Sequence, residues 1–349
     1  MKQPARNGIR RLAILIFLIA ALCFVVAGTV LYRITGMPGI SYHGDFTNPT
    51  PEEKDLAIRM RQHITAIALV EHNVGHYPEM EMAAQYIERT LSSYGYTVRQ
   101  QNFESKAGKV RNLEISLRSK HQKQPEHPIV VIGAHYDSAE GTPGANDNGS
   151  GTAAVIELAR LLKDLDGLIE SELILVLYAN EEPPYFKTEQ MGSRVHAAEM
   201  NARGKNVVAM ISLETLGYYS DKEGSQQYPF PFSFLYPNVG NFIGFVGDAG
   251  SRPLVRSLIG LFRKHSSFPS EGIAAPGFIP GIDWSDHWAY RQEGYPALML
   301  TDTAPNRYMY YHTPEDTIDK IDFARTARVI KGVETVMRNF VNNPGATSN

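Results

Sequence analysis

The stretch IVVIGAHYDSAEGTPGANDNGSGTAAVIELARLLK, residues 129–163, carries the reading of this chain. Its apolar run 129–134 has the length and β-branched content of a buried strand. The run stops at His135, with Asp137 two residues on. A glycine-rich loop, Gly144-Ala145-Asn146-Asp147-Asn148-Gly149-Ser150-Gly151, then opens an apolar helical segment. Strand, glycine loop and helix in that order are one βα unit. An acidic residue beside the helix N-terminus is stabilised there as the anion.

Outward from this unit the same alternation repeats. Strands are expected near 96–103, 110–117, 172–178, 207–212, 242–246 and 297–300, and helices over 151–163, 191–201, 253–265 and 322–340. Upstream, Thr50-Pro51-Glu52-Glu53 combines a cap residue, proline at the first helical position and glutamate three places after the cap, which predicts a helix start. A second helix is expected over 79–94. Only 218–242, rich in Tyr and Phe, reads as an insertion. The fold class is therefore α/β, a mixed and mostly parallel sheet between helices. Ligands of such sheets bind outside the carboxyl ends of the strands.

The beginning of the sequence differs from the rest. Residues 12–32 contain no charge, and about 20 apolar residues suffice for a helix to cross a bilayer. Lys2, Arg6, Arg10 and Arg11 precede the run, so the positive-inside rule predicts a cytoplasmic tail at 1–11, a transmembrane anchor at 12–32, a linker at 33–50 and an exported catalytic domain at 51–345. A cleaved signal peptide is the competing reading, but its apolar region is usually only about 7–15 residues long. Cys23 is the sole cysteine, which excludes disulfides and thiolate ligands from the exported part. Beyond Arg33 that part has 29 basic against 37 acidic residues, a formal charge of −8, and such a surface disfavours nucleic acid as a partner.

Chemistry-bearing residues gather at the predicted strand ends. His135 follows one strand, Glu181-Glu182 another and Glu214 a third, while His312 lies in Tyr311-His312-Thr313-Pro314-Glu315-Asp316-Thr317 before the last helix. Each has a bland explanation by itself: a hydrogen-bonded histidine, a capping aspartate, a solvated acidic turn. Two adjacent carboxylates, however, repel unless a cation or proton intervenes.

The ordered set His135-x-Asp137, the Asn146-Asp147-Asn148-Gly149-Ser150-Gly151 loop, Glu181-Glu182, Met191-Gly192-Ser193, Ser285-Asp286-His287 and Tyr311-His312-Thr313-Pro314 resembles the di-zinc aminopeptidase family, whose relatives include glutamate carboxypeptidase, glutaminyl cyclase and transferrin receptor. The resemblance covers about 79–340 and implies a zinc exopeptidase fold with two Zn2+ per chain. By similarity, Asp147 bridges the metals, His135 and Glu214 complete one site, and Glu182 and His312 the other. It further implies Glu181 as general base, Tyr311 as a hydrogen-bond donor to the tetrahedral intermediate, Asp137 as the carboxylate orienting His135, and Asp286 as a supporting carboxylate. Many relatives have Asp where Glu214 stands, and the stretch 183–191 is longer here.

The expectation is a zinc-dependent aminopeptidase acting on peptides outside the cytoplasm. Glutaminyl cyclisation, carboxypeptidase action and a non-catalytic receptor role are the alternatives. Cyclases of this resemblance tend to carry Trp before the last histidine, where this chain has Tyr311, and receptor-like members tend to lose ligands, none of which is lost here. The aromatic stretch 218–242, with Tyr185 and Phe186, reads either as a rim selecting an apolar first residue or as a packed structural excursion.

Overall fold

A computed structural model describes residues 4–106, 108–124 and 126–344; Lys2 of the expected tail and the expected last domain residue, Gly345, lie outside them. Two compact units divide between Gly36 and Met37. The first is a helix, α1 (Pro4–Thr35), whose stretch Arg10–Thr35 contains an 18-residue window of mean hydropathy 3.0. At ~1.5 Å per residue its 26 residues span about 39 Å, enough to cross ~30 Å of hydrocarbon.

The second unit is built on an eight-stranded sheet. Its strands are β1 (Arg99–Ser105), β2 (Gly108–Leu117), β3 (Ile129–His135), β4 (Glu172–Tyr178), β5 (Val207–Glu214), β6 (Ile243–Asp248), β7 (Ser270–Ala275) and β8 (Ala297–Thr301). Their spatial order is β1-β2-β4-β3-β5-β8-β6-β7. The central run β4-β3-β5-β8 is parallel, β6 and β7 are parallel to each other, and the remaining junctions are antiparallel. The helices are α2 (Pro51–Ile67), α3 (Tyr77–Ser93), α4 (Gly149–Leu162), α5 (Gly192–Ala202), α6 (Arg252–His265), the short α7 (His287–Gln292) and α8 (Ala304–Arg307), and α9 (Phe323–Phe340).

Strand alternation sorts the core into two faces. Val130, Ile132 and Ala134 of β3, with Leu173, Leu175 and Leu177 of β4, point to the large core filled by α2, α3, α4, α6 and α9. Ile129 and Val131, with Ile174, Val176 and Tyr178, point the other way, onto Ala197 and Met200 of α5 and Ala289 and Tyr290 of α7. Helix α2 starts as predicted, with Thr50 Oγ1 accepting from the Glu53 N–H and Glu53 Oε2 accepting from the Thr50 N–H. It buries Leu56, Met60 and Ile64 completely, each worth roughly 1.5–3 kcal/mol of transfer free energy.

Three expectations need correction. Residues 37–50 are no free tether. The Arg263 guanidinium donates to the Pro38 carbonyl, Ser41 Oγ accepts from the Ser270 N–H, Arg328 donates to the Thr47 carbonyl, and the Phe46 ring lies under the guanidinium groups of Arg325 and Arg328. Met37 and Phe46 pack against the core, while the other contacts of the segment are to cationic side chains and backbone, which leave no apolar periodicity in its sequence. The first strand begins at Arg99, later than the 96–103 expectation, because Tyr96 and Val98 pack on the core before sheet pairing begins. Finally, β7 and α7 were not expected, being too short and too poor in periodic apolar residues to stand out.

Asn112, fully buried, accepts from the Ala179 N–H and donates to the Gly192 carbonyl, tying the end of β4 to the start of α5. A Cβ on Gly192 would collide with the Ala179 carbonyl and the Asn112 side chain. Gly192→Ala is therefore expected to destabilise the fold by about 1–3 kcal/mol, lowering the thermal midpoint by several degrees; an unchanged melt would show that this junction yields freely.

Candidate metal centre

β3 is flanked by β4 on one side and β5 on the other, so the chain leaves it in both directions and a crevice opens at its carboxyl end. His135 ends β3, Glu181 and Glu182 follow β4, Glu214 ends β5, Asp147 precedes α4, and His312 sits in the loop before α9. All six reach the same crevice.

Their atoms form groups that share members: His135, Asp147 and Glu214; Asp147, Glu182 and His312; and His135, Glu181 and Glu182. Asp147 faces two ways. Its Oδ1 lies 3.4 Å from His135 Nε2, which is itself 3.3 Å from Glu214 Oε2. Its Oδ2 lies 3.0 Å from His312 Nε2, which is 3.3 Å from Glu182 Oε1. Glu181 Oε2 stands 3.7 Å from His135 Nε2. His135 Nε2, Asp147 Oδ2 and Glu182 Oε1 are buried and, among the described residues, make no hydrogen bond. Buried polar atoms left without partners are costly. Here they converge on common points between them, the arrangement that cations would fill. Imidazole and carboxylate donors with no thiolate suit zinc.

The supporting contacts depart from expectation at Asp137. Its carboxylate lies 3.7 Å from His135 Nδ1, and the imidazole is oriented instead by the Asp137 backbone carbonyl at 3.0 Å. The carboxylate accepts from the N–H groups of Glu181 and Glu182, both at 3.1 Å, so it positions the paired glutamates. Asp286 is fully buried outside the three converging groups, and the His135 charge favours its anion while burial pushes its carboxyl up to about 7. The Tyr311 ring stacks on the His312 ring at 3.9 Å.

Other positioning residues lay within quoted motifs but carried no assigned role. Asp316 accepts from the N–H groups of Asn146 and Asp147 and from the Tyr308 hydroxyl. Ser285 donates to Glu214 Oε2 at 2.8 Å. Asn148 accepts from the Thr215 and Gly151 N–H groups and donates to the Leu213 carbonyl. Asn180, Thr215 and His312 have φ of 60°, 46° and 55°, left-handed values that are rare for a β-branched residue such as Thr215. All three are at or beside the converging donors, where such strain concentrates.

Burial pushes the Glu214 carboxyl up to about 8 and that of Glu182 up to about 7, with the negative charge of Asp147 adding to both. Burial raises Glu181 well above the usual carboxylate range, and Glu182 contributes in the same direction. Asp147 goes the other way: burial opposes its ionisation, but the imidazoles of His135 and His312 hold its carboxyl below the ordinary value. His312, disfavoured as a cation by burial, is brought up to about 10 by Asp147 and Glu182.

Beside Glu214 and Tyr311 lies a mainly apolar cavity. Its floor is the sheet face of Met299 and Thr301, Gly244 and Val246, and Glu271 and Ile273; Tyr228, Phe232 and Tyr236 of the aromatic stretch wall it. Tyr185 and Phe186, expected in the rim, are not among its lining, and no cationic side chain is among the described residues that line it.

The sequence model of peptidase family M28 matches residues 114–337. This chain belongs to that family. Among the relatives of this family M28 chain is an uncharacterized protein of Escherichia coli (strain K12), YfbL, 35% identical over 327 residues that cover 90% of this chain and 95% of that one. A probable leucine aminopeptidase 1 of Trichophyton verrucosum is 29% identical over 213 residues, 58% of this chain, which matches about half (51%) of that longer protein. The Legionella pneumophila LapA aminopeptidase shares the fold at a TM-score of 0.64 and 18% identity, over 86% of this chain and 78% of that one. The fold is common to solved aminopeptidases and glutaminyl cyclases, so it does not separate those activities.

The raised carboxyls give the metal-free M28 chain a defined pH response. Below about pH 4.5 Glu182 and Glu214 are protonated in both states; as pH rises through about 7 and 8 the folded form retains protons the unfolded chain has released, and stability is lost. His312 acts in the same direction between its ordinary value and about 10, while the opposite contribution of Asp147 is complete near about pH 5. Chelator-stripped protein is expected to melt lower at pH 8 than at pH 5, and excess zinc should flatten the trend; a metal-free midpoint that climbs over this range would contradict the packing of these carboxyls.

Proposed function

We propose that this peptidase is an aminopeptidase that holds two zinc ions, one by His135, Asp147 and Glu214 and the other by Asp147, Glu182 and His312. The observation that carries the reading is Asp147, with one oxygen facing each group of donors while buried donor atoms between them stay unbonded. Zinc, when bound, would supply the positive charge that polarises a scissile carbonyl and acidifies the attacking water.

The chain's own residues would do the rest. Glu181 takes the proton from that water and delivers it to the leaving amine, held in place by its N–H bond to Asp137. Tyr311, next to His312 and lining the cavity, donates its hydroxyl to the oxygen that gains charge. A free α-amine suits the acidic crevice, whereas a C-terminal carboxylate finds no cationic side chain in the lining to receive it. The apolar run 12–32 of α1, preceded by Arg6, Arg10 and Arg11, supports a single-pass membrane anchor with the catalytic domain outside the cytoplasm. Protease added to intact cells, or to spheroplasts where an outer membrane encloses the domain, should then release it.

The decisive comparison uses one peptide with a free N-terminus, the same peptide N-acetylated, and the same peptide C-amidated. Release of the first residue from the free and amidated forms alone supports the reading. Cleavage from the carboxyl end, or cyclised N-terminal glutamine as product, replaces it. Glu181→Gln should retain zinc while turnover falls by ~10²–10⁴-fold, and Glu182→Gln should lose one zinc with partial rescue by excess metal. Native turnover in Glu181→Gln removes the base assignment.

A further inference from the structure

Four residues lie in one row across the sheet. Glu214 on β5 pairs with Thr301 on β8, Thr301 with Gly244 on β6, and Gly244 with Glu271 on β7. Directly paired residues point to the same face, so Glu214 and Glu271 look onto the same cavity from its two ends. Between them Gly244 has no side chain and leaves a trough.

We propose that this cavity selects peptides beginning with lysine or arginine, with Glu271 receiving the side-chain cation; the inference rests on the aminopeptidase reading above.

Three observations carry it. The first is that Glu271, its side chain 22% exposed, accepts no hydrogen bond among the described residues. Its nearest ion-pair partner, Arg263, stands 3.8 Å off, beyond hydrogen-bond reach. That guanidinium is already committed to the carbonyls of Pro38, Gly39 and Ser270 and to the Ser270 hydroxyl. Burial raises the Glu271 carboxyl above its ordinary value although Arg263 and His43 oppose the rise, so the anion is under-compensated where it stands. The second is the wall, where Tyr228, Phe232 and Ile279 offer the apolar surface that the methylene stem of a lysine or arginine covers. Third, length agrees. Three interstrand steps of ~4.8 Å separate the Glu214 and Glu271 backbones by about 14 Å. A first residue whose Cα sits beside the donors, with a stem of roughly 6 Å, places its cation within reach of Glu271. A leucine would end among the apolar walls and leave the carboxylate unpaired.

The test measures kcat/KM of the zinc-loaded full chain in detergent for lysyl, arginyl and norleucyl anilides, norleucine being a close match to the lysine stem without its amine. Lysine is expected to exceed norleucine by at least about tenfold. Glu271→Gln should erase that advantage without lowering norleucine turnover, and Glu271→Asp, which withdraws the charge by one methylene, should shift preference from lysine to arginine. Lysinol and norleucinol, which keep the α-amine and side chain but have no scissile amide, titrated calorimetrically into the wild type and Glu271→Gln should show the same loss without any turnover. A wild type that favours norleucine, or a Glu271→Gln variant that keeps the lysine advantage, overturns the inference alone. Zinc-loaded wild type that hydrolyses none of the three anilides overturns the aminopeptidase reading and this inference with it.

Discussion

Carboxylates buried at the ends of three parallel strands set the terms for the rest of this molecule. Asp147, Glu181, Glu182 and Glu214 stand within a few ångströms of two imidazoles, in a site that water barely reaches except at the His312 side chain, which is 33% exposed. Like charges out of water repel strongly. What surrounds them consists of groups that hold anions in place without neutralising them: backbone N–H groups of Glu181 and Glu182 on Asp137, Asp316 fixing the Asp147 backbone, and the Ser285 hydroxyl on Glu214. The left-handed backbone at Asn180, Thr215 and His312 belongs to the same arrangement. Such a cage makes physical sense around cations.

The two faces of the sheet divide labour. One carries the large core under α2, α4 and α9, and supplies stability. On the other, α5 and α7 cover the middle of the sheet, while the aromatic insertion takes their place over β8, β6 and β7. Arg307, largely buried, pins that insertion by donating to the Gln226 side chain and to the Gly240 and Phe242 carbonyls. An insertion that looked like surplus in the sequence is a wall held from beneath.

The stretch 129–163 was readable because strand, histidine, glycine loop and helix follow one another locally, and each reports its state within a few residues. Four of the six converging residues, His135, Glu181, Glu182 and Glu214, were placed at strand ends by the same logic, with Asp147 in the glycine loop and His312 before the last helix, and the structure brings all six to one crevice. What the sequence could not carry depends on partners far along the chain. Asp137 looked like the orienter of His135 because they are two residues apart, yet its carboxylate turns to an N–H pair more than 40 residues away. Ser285, Asp316 and Asn148 act across longer separations still. β7 escaped because Ser-Glu-Gly-Ile-Ala-Ala has one branched aliphatic residue, and its Glu271 had no neighbour in sequence to mark it. Residues 37–50 read as a leash for want of a hydrophobic pattern, although Arg263 and Arg328 bind them through backbone carbonyls that any sequence would present.

Those two arginines settle where the body of the protein starts. Arg328 also grips Glu53, the residue that completes the first cap of α2, so the strip from Met37 to Glu53 is bound into the body by its own polar atoms. Separating the body from the apolar helix therefore leaves little choice of scissor point: a cut just before Met37 preserves the strip, whereas one at Pro51 would take the Pro38, Gly39, Thr47 and Asn48 carbonyls from Arg263 and Arg328 and bare the Phe268 ring against which Phe46 packs.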